Sequence, residues 1–126
     1  MPERHSRAVP GGTAFYLTER LWELAADLPV VSVLIDSIPE FDEDCWFGGR
    51  PVTCRMVAMH AERIQKADLR YPVILSADGR LMDGGHRVAK SWLGGATTID
   101  AVRFHVDPEP DYIEPDALLQ SGQREL

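Results

Sequence analysis

Between Leu81 and Gly95 the chain reads LMDGGHRVAKSWLGG. Two glycines, a histidine and an arginine fall where a short apolar run gives way to a helical pattern. A helix start leaves backbone N–H groups unpaired and carries the positive end of the helix dipole. Glycine lets an anion approach that backbone closely, so the pattern suits a phosphate or carboxylate. In this reading Gly84 and Gly85 supply the approach. Arg87 adds a planar cation matched to a pair of phosphate oxygens. His86 contacts the same phosphate or moves a proton. Asp83 orients His86 or holds a magnesium-bound water. The same residues also make a plain glycine turn with an ordinary polar first helical turn, and composition favours neither reading.

Phosphoryl chemistry further needs a carboxylate for metal or proton. Residues 36–44 supply five (Asp36, Glu40, Asp42, Glu43 and Asp44) without a compensating cation. A charge run in a loop is usually a solvated face. Glu40 is the first choice for a catalytic role, because it follows the preceding strand most closely after Ile38 and Pro39. Trp46 and Phe47, beside Gly48 and Gly49, read as a hinged flap over a ring-shaped ligand or as anchors for the loop. His60 reads as a hydrogen-bonded core histidine. Arg55, Arg63 and Lys66 read as surface charge, with one in reach of a phosphate. His60, His86 and His105 lack metal-hydrolase spacing, and Cys45 and Cys54 make no zinc pattern, so no metal ligands are assigned.

The elements that must position these residues follow from periodicity. Residues 1–12 read as a flexible lead-in. TERLWELAADLP reads as a helix with Thr18 as N-cap, and residues 30–35 as a buried strand. Residues 36–52 show no period, which for a loop of that length points to function. Thr53 caps a second helix with Val57, His60, Ala61, Ile64 and Ala67 as its inner stripe. Residues 72–76 and 80–83 form a hairpin about Asp78 and Gly79. A third helix follows, with Val88, Ala89, Trp92 and Leu93 inward and glycines at its end. Residues 97–106 form a last strand. The order predicts a small mixed α+β domain over residues 13–107, with a short mixed sheet and flanking helices. Residues 108–126 read as an acidic tail, with Tyr112, Ile113, Leu118 and Leu119 available for a protein partner or self-association.

A chain of 126 residues supports one such core. No apolar run nears the roughly 20 residues that span a bilayer, and no secretory signal opens the sequence, so a cytoplasmic setting with reduced cysteines is expected. The net charge of −7 argues against wrapping duplex DNA. Residues 45–106 nevertheless carry nine Lys and Arg against five Asp and Glu, which suits one small phosphorylated ligand.

The stretch PVILSADGRLMDGGHRVAKSWLGGATTIDAVRF resembles the central segment of the ParB N-terminal and sulfiredoxin superfamily. There a hairpin leads into a D-G-x-H-R or G-x-x-R box at a helix start. The resemblance covers residues 30–106 loosely and 72–104 well. It implies a nucleotide, ATP, ADP or CTP, with Gly84, Gly85, His86 and Arg87 on its phosphates, and magnesium if the chain is catalytic. Gly85 stands where sulfiredoxins carry their cysteine, so that repair chemistry is not expected. ParB partition proteins carry a G-E-R-R type box and downstream DNA-binding and dimerisation domains that this sequence does not contain. Free serine kinases in the superfamily are similar in having a box histidine and a catalytic glutamate after an early strand, where Asp36 and Glu40 fall here. Two readings follow. One is a magnesium-dependent nucleotide hydrolase or small-molecule kinase using Glu40, Asp83 and His86. The other is a non-catalytic nucleotide-sensing or protein-interaction module. A partition or nuclease role ranks below both.

Overall fold

The computed structural model describes residues 3–116. Its class is mixed α+β, as the periodicity predicts, with three α-helices and two sheets among the described residues. The described residues divide into two compact units, 3–26 with 108–116, and 27–107.

The first unit departs most from the sequence expectation. The supposed lead-in forms strand β1 (Arg4–Val9), which pairs antiparallel with β2 (Gly12–Leu17) through a two-residue turn. The supposed tail contributes β7 (Tyr112–Pro115) to the other edge of β2. Burial explains the association. Ala14, Phe15 and Tyr16 on β2 are buried, and Tyr112 stacks on Phe15 at 4.9 Å. Helix α1 (Thr18–Ala25) starts one residue earlier than the cap reading requires: Leu17 is its N-cap, and Thr18 lies inside and is buried. Asp111 instead anchors the start of the helix through the N-cap residue's own amide and a first-turn side chain. Its Oδ2 accepts from Leu17 N–H at 2.7 Å and from Arg20 at 3.0 Å. Leu118 and Leu119 lie outside the described residues.

The second unit carries the site. Its sheet has the order β3-β6-β4-β5, formed by Val31–Leu34, Thr98–Arg103, Val73–Leu75 and Leu81–Asp83. Pairing is parallel only between β4 and β6, so the sheet is mixed as expected. Strand β4 is central and wholly buried. By contrast β3, expected to be buried, is an edge strand with Val31 and Leu34 exposed. Two 3₁₀ turns, Ile35–Ser37 and Pro39–Asp42, order the start of the aperiodic loop by burying Ile35 and Ile38 against Val73, Leu75 and Val88.

Helix α2 (Cys54–Lys66) is capped by Thr53, whose Oγ1 accepts from Met56 N–H at 3.2 Å. Its half-buried residues are Met56, His60 and Ile64, so His60 and Ile64 face inward as expected, while Met56 takes the place of the exposed Val57 and Ala61. Helix α3 (Gly85–Leu93) buries Val88 and Ser91 and leaves Trp92 and Leu93 exposed, against the expectation that both face inward. Lys90 binds α2 to α3. Its Nζ donates to the carbonyls of Gln65 and Ala67, each at 2.8 Å, where the end of α2 leaves acceptors unpaired. No helix among the described residues is long and apolar enough to cross a membrane.

Candidate functional site

The glycines that open α3 answer to sterics first. Gly84 is the N-cap residue with φ of +119°, which side-chain-bearing residues rarely adopt. A Cβ there would also meet Val73 Cγ1 at 2.5 Å. Glycine is therefore required for the chain to leave β5 and enter α3 over the central strand. Gly85 is less constrained, with Trp46 Nε1 3.1 Å from a built Cβ. The first helical bond runs from Val88 N–H to the Gly84 carbonyl at 3.0 Å. The amides of Gly85, His86 and Arg87 precede it, and no side chain caps them from the N-cap position.

Arg87 turns inward. It donates to the carbonyls of Tyr71 and Pro72 at 3.0 and 2.7 Å and to Asp83 Oδ2 at 2.7 Å. Only 14% of its side chain is exposed, and 18% of that of Asp83. The arginine thus ties the entry to β4 to the exit from β5, with both terminal nitrogens of its fork donating to protein acceptors. Glu40 is similarly committed. Its Oε1 accepts from Leu81 N–H at 2.8 Å, satisfying an amide on the sheet's edge strand, and its Oε2 pairs with Arg80 at 2.8 Å. Arg80 also holds Glu43 at 2.7 Å. Asp83 and Glu40 therefore each bring a neutralising arginine, and neither presents the free carboxylate that a magnesium ion requires. Among the described residues, no three His, Cys, Asp or Glu side chains converge as a metal-binding group.

His86 meets His60. Nδ1 of His60 lies 2.8 Å from Nε2 of His86, and the rings are within 9° of parallel. Trp46 lies over both, at 4.8 Å and 6° from His60 and at 4.6 Å and 4° from His86. Phe47 meets His60 edge-on at 5.2 Å. The loop that carries these aromatics is folded around Asp44. Oδ1 of Asp44 accepts from the amides of Trp46 and Phe47 at 3.2 and 2.7 Å, and Oδ2 from Gly49 at 2.8 Å. Gly48 and Gly49 both take positive φ, which lets the chain close the turn. Arg50 completes it, donating from Nε to the Phe47 carbonyl at 2.7 Å.

Burial lowers the pKa of His86 to about 4, helped by His60 and Arg63 and opposed by Asp83. Burial also lowers that of His60, with Arg63 and Arg50 adding to the effect. Both rings are therefore neutral at pH 7, one donating to the other. The amide hydrogen bonds from Gly49, Phe47 and Trp46 hold the Asp44 carboxyl below its usual range.

The structure brings Gly84, Gly85, His86, Trp46 and His60 together at the start of α3. Arg63 bears electrostatically on both histidines, and Arg50 on His60. Arg87, Asp83 and Glu40 border that cluster, but their charged groups are engaged by partners of their own. His60 and Arg63 lie one helical turn apart on α2, so the i, i+3 spacing was readable, but nothing local indicated that this face meets α3. Cys45 and Cys54 are free thiols. No family model matches the chain, and neither the curated proteins nor the solved structures contain a match.

Proposed function

We propose that the chain is a nucleotide-binding module of the kind found in the ParB and sulfiredoxin superfamily, taking the ligand's phosphates at the start of α3. The observation that carries this reading is the run of amides on Gly85, His86 and Arg87, which precede the first helical bond at a glycine entry. Trp46 Nε1 lies beside Gly85 and adds a donor. The cations assigned to the phosphates are Arg63, whose charge acts on both histidines, and Arg50, whose charge acts on His60. Arg87 supports the site from behind, by fixing the strand exit that sets the first turn.

The module binds without turning the ligand over. Hydrolysis or phosphoryl transfer needs a carboxylate free to position metal or accept a proton. Glu40 and Asp83 are instead paired with Arg80 and Arg87. The test is calorimetric titration with ATP, ADP and CTP, with and without magnesium, on the unaltered chain and on Arg63→Ala. Binding in the micromolar range, weakened by the substitution and unaccompanied by product, is the expected result. Heat absent with every nucleotide, in folded protein, would remove the reading.

A further inference from the structure

A cavity of about 390 Å³ opens beside the aromatic loop, within the range of small-ligand sites. Leu81 and Val88 form its floor, both nearly buried. Its walls include Phe41, Trp46, Phe47 and Trp92, so four aromatic rings border one space. Phe41 and Trp92 are tilted toward each other at 5.8 Å. Trp92 and Leu93 are 53% and 66% exposed, so a ligand seated here would remove apolar surface from water.

Charge decides the kind of ligand. Glu40, Glu43 and Asp44 line the cavity, and no Lys, Arg or His does. Arg80 neutralises part of the Glu40 and Glu43 charge from outside that lining. The remaining field is negative, and aromatic faces are themselves attractive to cations. We propose that this cavity binds a small organic cation, an amine attached to a body of one or two rings, with the body between Phe41, Trp46 and Trp92 and the ammonium toward Glu43 and Asp44. The site shares Trp46 and Gly85 with the start of α3 but requires no phosphate, so it stands whether or not a nucleotide binds there.

The test uses three probes of one size: phenethylammonium, neutral 2-phenylethanol and anionic 3-phenylpropionate. Each is titrated into ¹⁵N-labelled protein while the three indole N–H signals are followed. Phenethylammonium is expected to shift Trp46 and Trp92 saturably and leave Trp22, which does not line the cavity, in place. The alcohol should bind about five- to tenfold more weakly, as loss of a partly desolvated cation–π and charge contact implies. The carboxylate should not bind. Trp92→Ala, a change at an exposed position, should abolish the Trp46 shift, and Glu43→Gln should weaken it. Equal binding by the three probes, no shift with phenethylammonium, or binding retained in Trp92→Ala would overturn the proposal. The probe series on the unaltered chain decides the question even if a variant fails to fold.

Discussion

His60 Nδ1 and His86 Nε2, 26 residues apart in sequence, share one hydrogen bond of 2.8 Å under the indole of Trp46. The bond needs one ring as donor and the other as acceptor, so it tolerates at most one added proton. A second would set N–H against N–H. This relation makes the start of α3 sensitive to mild acid.

The folded pKa of His86, about 4, lies below its ordinary 6.5, and that of His60 is displaced in the same direction. Between those values the unfolded chain binds more protons than the folded one. The stability from these rings is complete above about pH 6.5 and declines as pH falls toward 4. Histidine NMR titration should give a depressed midpoint for His86, and His60→Ala should raise it. Unfolding stability should fall from pH 7.5 to 5, less steeply in His86→Phe.

Gly84→Ala is expected to cost about 2–4 kcal/mol, from an unfavourable positive φ combined with overpacking against Val73. Gly94, at the other end of α3, has ordinary φ of −77° and no contact closer than 3.5 Å to a built Cβ. Gly94→Ala should change stability by under about 1 kcal/mol. Urea unfolding of both variants checks the contrast.

Arg87→Ala should destabilise the chain by about 2–4 kcal/mol, since it leaves the largely buried Asp83 carboxylate and two backbone acceptors without their partner. Arg87→Lys should restore little, because one ammonium cannot reproduce the fork. If Arg87 were instead a surface phosphate ligand, both variants would keep parental stability in urea unfolding and lose only nucleotide binding.

Asp44→Ala should release the turn that carries Trp46 and Phe47. Amide exchange at Trp46, Phe47 and Gly49 should accelerate, and Trp46 fluorescence should shift to the red. Because the folded carboxyl titrates below 3.8, its hold on the loop is present at neutral pH and is lost as pH falls through that depressed value.

The hairpin, the Thr53 cap, the glycine ends of α3 and the mixed α+β class were legible because each is written in local turn chemistry or periodicity. Strands β1 and β7 were not. RHSRAV is mostly polar, so its local hairpin with β2 across Pro10 and Gly11 carries little apolar signal, and YIEP is short, ends in proline and becomes a strand only by pairing with β2 about 100 positions away. The same limit applied to the site. DGGHR marked the junction of β5 and α3, and the glycine entry could be read from it. The roles of Arg87 and Glu40 could not, since their partners, Tyr71, Pro72, Leu81 and Arg80, are fixed by tertiary packing. His60 looked like one more residue on a helical stripe until α2 met α3.

The most direct measurement is an amide NMR titration of the chain with ADP and, separately, with adenosine. ADP should move the Gly85, His86 and Arg87 amide signals saturably, and Arg63→Ala should weaken that effect. Adenosine should leave the three amides in place. Equal shifts from both ligands, or ADP binding that leaves these amides unmoved, would contradict a phosphate site at the start of α3.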